Sequence, residues 1–93
     1  MIMSVKTVEE YLLHLQSKGF QFPEDAVGFI YFGKHYTNAS DEITNTAIEL
    51  TLKAQLHFDG SFYVSLLERF VANKIETRYD AIQYVKEKQL LLI

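Results

Sequence analysis

The sequence predicts an all-α fold: a compact bundle of about five short helices in one globular domain covering residues 1–93. Three observations lead there. Helix-opening residues (Thr, Pro or Ser, followed by acids) recur along the chain, each ahead of a run with apolar residues at three- and four-residue spacing. Only four Gly and one Pro are present, which leaves little room for long loops. With 48% hydrophobic and 23% charged residues, the composition is that of an ordinary globular chain able to bury a core.

The first helix is expected over residues 8–18. Thr7 and Glu10 form a capping box, in which the hydroxyl accepts a free N–H and the carboxylate reaches back. Val8, Tyr11, Leu12 and Leu15 share one face, Lys18 suits the negative end, and Gly19 suits a left-handed stop. A second helix is expected over residues 23–36. Pro23 loses no hydrogen bond in a first turn, and Glu24 and Asp25 favour the positive end of the helix. This segment is apolar almost all round, the pattern of a helix that is central in its fold or shared with another chain. Gly28 and Gly33 weaken it as a helix, and Phe29–Phe32 also suits a short buried strand.

Residues 41–58 allow two readings. Ser40 is a good N-cap with Asp41 and Glu42 behind it, and Leu, Glu, Lys, Ala and Gln are helix formers. As a helix the segment has two apolar faces, Ile43, Ala47, Leu50, Ala54 and Phe58 on one and Ile48, Leu52 and Leu56 nearly opposite, with Gly60 as a stop. As a strand, Ile48, Leu50, Leu52, Leu56 and Phe58 alternate with polar residues, and Asp59-Gly60 would turn a hairpin at about residues 48–66. The helix is the favoured reading, and an α+β fold with that hairpin is the alternative.

A fourth helix, residues 62–72, follows Ser61 as its cap. It carries Phe62, Tyr63, Leu66, Leu67, Phe70 and Val71 on a wide apolar face and has Asn73 as a left-handed stop. Thr77 opens a fifth helix, residues 78–88, with Ala81, Ile82 and Val85 inward and Tyr79 and Tyr84 at its edges.

Composition and motif spacing narrow the function. Cysteine is absent, which removes disulfides, thiolate metal sites and cysteine nucleophiles. His14, His35 and His57 are too dispersed for a metal-binding spacing. No serine sits in a nucleophile elbow, and Gly28 to Gly33 is followed by Lys34-His35 rather than the Gly-Lys-Ser/Thr of a phosphate loop. The paired acids Glu9-Glu10, Glu24-Asp25 and Asp41-Glu42 lie in first helical turns, where the helix dipole accounts for them. Neither an enzyme nor a cofactor is therefore expected. The N-terminal residues lack the apolar stretch of a signal peptide, and no apolar run reaches bilayer length. A cytoplasmic protein with no membrane partner is expected, and short acidic helical chains of this kind suggest a bacterial source.

Net charge is −3, which argues against general nucleic-acid binding. Residues 69–93 nevertheless carry five basic and three acidic residues, and helices 62–72 and 78–88 have helix-turn-helix proportions, with Arg78, Lys86 and Lys88 placed to face phosphate. A nucleic-acid-associated regulator is thus one alternative function.

The aromatic segment 29–36 offers another pair of readings. Phe29, Tyr31, Phe32 and Tyr36 could line an interface, or a small-ligand pocket with Lys34 and His35 as polar handles. Equally they could be plain core, the commoner fate of aromatic stripes in small domains. The terminal Leu90, Leu91, Leu92 and Ile93 would be an aggregation liability if left uncovered. Together these two segments favour a homodimer whose interface includes Phe29, Tyr31, Phe32, Tyr36 and Leu90 to Ile93. The leading functional expectation is a non-enzymatic protein-interaction or regulatory module.

Overall fold

A computed structural model describes residues 6–90. Five helices follow one another: α1 (Val8–Ser17), α2 (Glu24–Thr37), α3 (Asp41–Gln55), α4 (Gly60–Ala72) and α5 (Arg78–Glu87). Among the described residues there is no strand, so the segment that could have made a hairpin is helical on both sides of its turn. Leu91, Leu92 and Ile93 lie outside the described residues. No described helix is long and apolar enough to cross a membrane.

The caps account for most of the helix starts. Glu10 N–H donates to Thr7 Oγ1 at 3.1 Å while Thr7 N–H donates to Glu10 Oε1 at 2.9 Å, completing the capping box. Ser40 Oγ accepts from Ile43 N–H at 3.2 Å, and Thr77 Oγ1 from Asp80 N–H at 3.1 Å. Gly19 takes the left-handed conformation (φ 100°) just past α1, where a side chain would be strained.

Three local expectations need correction. α4 is capped by Asp59, whose Oδ1 accepts from Phe62 N–H at 3.1 Å, and not by Ser61. α3 does not run to residue 58 with Gly60 as its stop: it ends at Gln55, with Leu56 left-handed at φ 65°. The early break lets Phe58 turn back against the ring of Phe22 (6.2 Å), distant in sequence, and that of Tyr63 (5.3 Å) in the next helix. The left-handed residue after α4 is Lys74 (φ 57°), whereas Asn73 stays at φ −98° and its side-chain amide donates to Arg69 O at 2.7 Å.

The central helix is α3, which touches all four others. Every residue from Ile43 to Ile48 is buried, and Leu50, Thr51 and Leu52 are buried too. Both apolar faces of α3 are therefore buried as far as Leu52, whereas Ala54 and Leu56, expected on those faces, are exposed. Val8, Leu12 and Leu15 of α1, Tyr63, Leu66, Leu67 and Phe70 of α4, and Ala81 and Val85 of α5 complete the core.

α2 lies at the margin and packs chiefly on α4. Phe29 rests on Gly60, and Gly33 rests on Tyr63 and Leu67, so the two helices run in the same direction. A Cβ on Gly33 would sit 2.9 Å from Tyr63 Cε2, which explains a glycine at that point of closest approach. The Tyr63 hydroxyl secures the contact by donating to Ile30 O at 2.6 Å. Burial pushes the Tyr63 phenol well above its ordinary range, so it stays a donor.

Candidate functional site

The outward surface of α2 follows from how its inward surface is used. Ile30 and Gly33 are buried, and Ala26, Val27, Lys34 and Thr37 are half-buried. At 3.6 residues per turn, the opposite face must then carry positions 25, 28, 29, 32, 35 and 36. All six are exposed, among them three large rings.

Those rings form a continuous stripe. Phe29 and Phe32 have centroids 6.1 Å apart, and Phe32 and Tyr36 stack at 5.7 Å with an interplanar angle of 15°. Phe32 is 58% exposed and Tyr36 67%, values far above those of core rings such as Tyr63 and Phe70. The stripe is anchored at its inner end, because Phe29 contacts Tyr63 at 6.5 Å and Tyr63 contacts Phe58. A run of rings thus leads from the core to the surface. At the Phe29 end lies a shallow groove of about 660 Å³, lined in part by Pro23, Ala26, His57, Phe58 and Gly60.

Of the residues singled out from sequence, Phe29, Phe32 and Tyr36 come together on this face. Tyr31 does not. It is half-buried on another side of α2, beside Val8, Glu9, Lys34 and Asp41, where burial first and Glu9 second raise its phenol pKa. Leu90 is half-buried against the core, its N–H donating to Val85 O at 3.0 Å. Lys34 pairs with Asp41 at 3.2 Å, so the polar handle imagined for an aromatic pocket instead ties α2 to the start of α3.

Arg78, expected to face phosphate in a nucleic-acid reading, is engaged by carboxylates. Its Nε and Nη2 donate to the two Glu49 oxygens at 2.9 and 2.7 Å, and its backbone N–H donates to Glu42 Oε2 at 2.8 Å. This clamp fixes the start of α5 on α3 and holds the Glu49 carboxyl below its ordinary range, with the Arg78 hydrogen bonds as the main cause. Tyr11, packed nearby, is pushed up to about 12 by burial and then by the Glu49 charge. Moreover, α5 packs chiefly on α3 and meets α4 through Tyr84, whose ring lies edge-on to Phe70 at 6.0 Å. Among the described residues no three His, Asp or Glu side chains gather as a metal cluster.

Sequence reasoning missed one exposed residue at this end of the molecule. Leu56 is 85% exposed and left-handed, next to His57 of the groove. Nothing in a local pattern marks a leucine for that conformation, since its cause is the inward turn of Phe58.

The family described as a family of unknown function (DUF6123) matches residues 3–91, and the chain belongs to it. No curated protein and no solved structure matches the chain.

Proposed function

We propose that this protein is a non-enzymatic interaction module, of a regulatory kind, that works as a homodimer through the outward face of α2 in the bacterial cytoplasm. The observation that carries the reading is the stacked, exposed stripe of Phe29, Phe32 and Tyr36. Contiguous exposed apolar surface is what interaction sites are made of, and aromatic rings supply most of the energy at such sites. The rings sit on a helix fixed to the core by Tyr63 and Gly33, so the surface is ordered before any partner arrives. Self-association is the simplest use of one such face, because two-fold dimers are the commonest oligomers. Freedom from cysteine and the acidic balance both suit a reducing, nucleic-acid-rich compartment.

The test is sedimentation equilibrium on the wild type and on Phe32→Asp. A dimer is expected for the wild type at high micromolar concentration and a monomer for the variant, with the same helical circular dichroism in both. A wild-type monomer at that concentration, or a variant that dimerises as well as the parent, would overturn the reading.

A further inference from the structure

The outward residues of α2 recur at alternating spacings of three and four: Asp25, Gly28, Phe32 and His35, with Phe29 and Tyr36 alongside. That is the a/d spacing of a helix–helix seam, here on the face turned away from the protein's own core. Two features of the seam are unexplained within one chain. Gly28 is exposed, and a Cβ built on it meets nothing within 4 Å, so neither packing nor φ requires a glycine there. Gly33, five residues on and facing inward, differs because its Cβ would collide with Tyr63. Phe32, four residues from Gly28 on the same face, projects a ring that is more than half exposed.

A second copy accounts for both. In an antiparallel pair each a position faces a d position of the other helix. Asp25 then faces His35 of the second copy, and Gly28 faces Phe32 of the second copy. Each layer is complementary, ring into gap and carboxylate opposite imidazole. The charges select the direction. On its outward face α2 has Asp25 in its first turn and His35 in its last, Lys34 being turned inward to Asp41. An antiparallel partner places Asp25 opposite His35 at both ends, whereas a parallel one places Asp25 opposite Asp25. Antiparallel helix dipoles favour the same choice.

We infer that two copies pair antiparallel along α2, with Phe32 of each seated over Gly28 of the other and Asp25 of each opposite His35. The inference rests on the homodimer reading and adds the direction and the register.

Because the chain has no cysteine, the register can be read by disulfide trapping on the whole protein. Asp25→Cys and His35→Cys proteins are oxidised separately and as a mixture. The mixture is expected to give a cross-linked heterodimer and each protein alone very little, since like positions lie about 15 Å apart along the axis in this register. Gly28→Cys mixed with Phe32→Cys reads the inner layer the same way. In addition, Gly28→Ala should weaken the dimer by about tenfold or more without lowering the melting temperature of the dilute monomer.

Efficient homotypic cross-links at 25 or 35, or a dimer indifferent to Gly28→Ala, would overturn the register while leaving a dimeric interaction module standing. A wild-type monomer would overturn both.

Discussion

α2 and α3 reverse what their compositions suggest. α2 contains one of the longest unbroken apolar runs in the chain, Phe29 to Phe32, yet buries only Ile30 and Gly33 fully and turns Phe29, Phe32 and Tyr36 outward. α3 contains three threonines, an asparagine and two glutamates, yet nine of its residues are buried. The difference is one of place. α3 is surrounded by four helices and α2 by far less, so burial follows position in the topology rather than the hydrophobicity of a segment.

α3 accommodates its polar residues through local hydrogen bonding. Thr46 and Thr51 donate their hydroxyls to the carbonyls of Glu42 and Ala47, four residues back, at 2.8 and 2.7 Å. Their methyl groups are then free to pack. Asn45 Nδ2 donates to Lys6 O at 2.9 Å, tying the chain ahead of α1 to the centre of the bundle. α2 uses the device once, where Thr37 donates its hydroxyl to Gly33 O at 2.8 Å, and leaves its rings exposed instead.

The widest contrast should appear in stability. Leu50→Ala, at a site 1% exposed, should cost about 2–5 kcal/mol in urea unfolding. Phe32→Ala, although it removes a larger side chain, should shift the dilute monomer by only about 0.5 kcal/mol. Equal losses would mean that α2 is as deeply packed as α3, and the comparison would fail.

A smaller effect separates the threonines of α3. Thr44 Oγ1 is buried without a hydrogen-bond partner, whereas Thr51 Oγ1 has one. Thr44→Val should therefore stabilise the fold by about 1 kcal/mol, and Thr51→Val should gain less. A Thr44→Val protein no more stable than the Thr51→Val protein would show that the Thr44 hydroxyl contributes in some other way.

The smallest effect concerns the outer edge of α3, where Glu49 meets Arg78. The folded Glu49 carboxyl lies below its ordinary value, so the unfolded chain binds the proton more readily. The stability this gives is fully present above the ordinary glutamate value of about 4.3 and is lost as pH falls through the folded one. The Arg78 side chain is 54% exposed, so screening limits the contribution to at most about 1 kcal/mol. Chemical unfolding of the wild type and Arg78→Met should show a gap at neutral pH that closes in acid. A gap independent of pH would assign it to packing of the Arg78 stem instead.

The local framework was legible in the linear chain. The capping box at Thr7 and Glu10, the caps at Ser40 and Thr77 and the left-handed Gly19 are all set within a few residues, and all appear as expected. The aromatic stripe was legible as a list of residues, and its split was not: Tyr31 lies at i+2 from Phe29, so one helix turns them to different sides. Asp59 in place of Ser61 as a cap, and Leu56 in place of Gly60 as the end of α3, were hidden for a related reason. Both accompany the packing of Phe58 on Phe22, a residue far earlier in the chain that the sequence does not bring beside it.

By itself, then, the sequence favoured five helices, with a hairpin at about residues 48–66 left open, and determined most helix starts and the residues able to form a core, because caps and apolar periodicity are short-range properties of the backbone. Tertiary structure alone decided that α3 is central, that α2 is marginal and that Phe29, Phe32 and Tyr36 face outward. Those outcomes depend on which helix faces compete for the same interior, and Gly33 against Tyr63 and Leu67 settles how closely and on which side α2 can approach it.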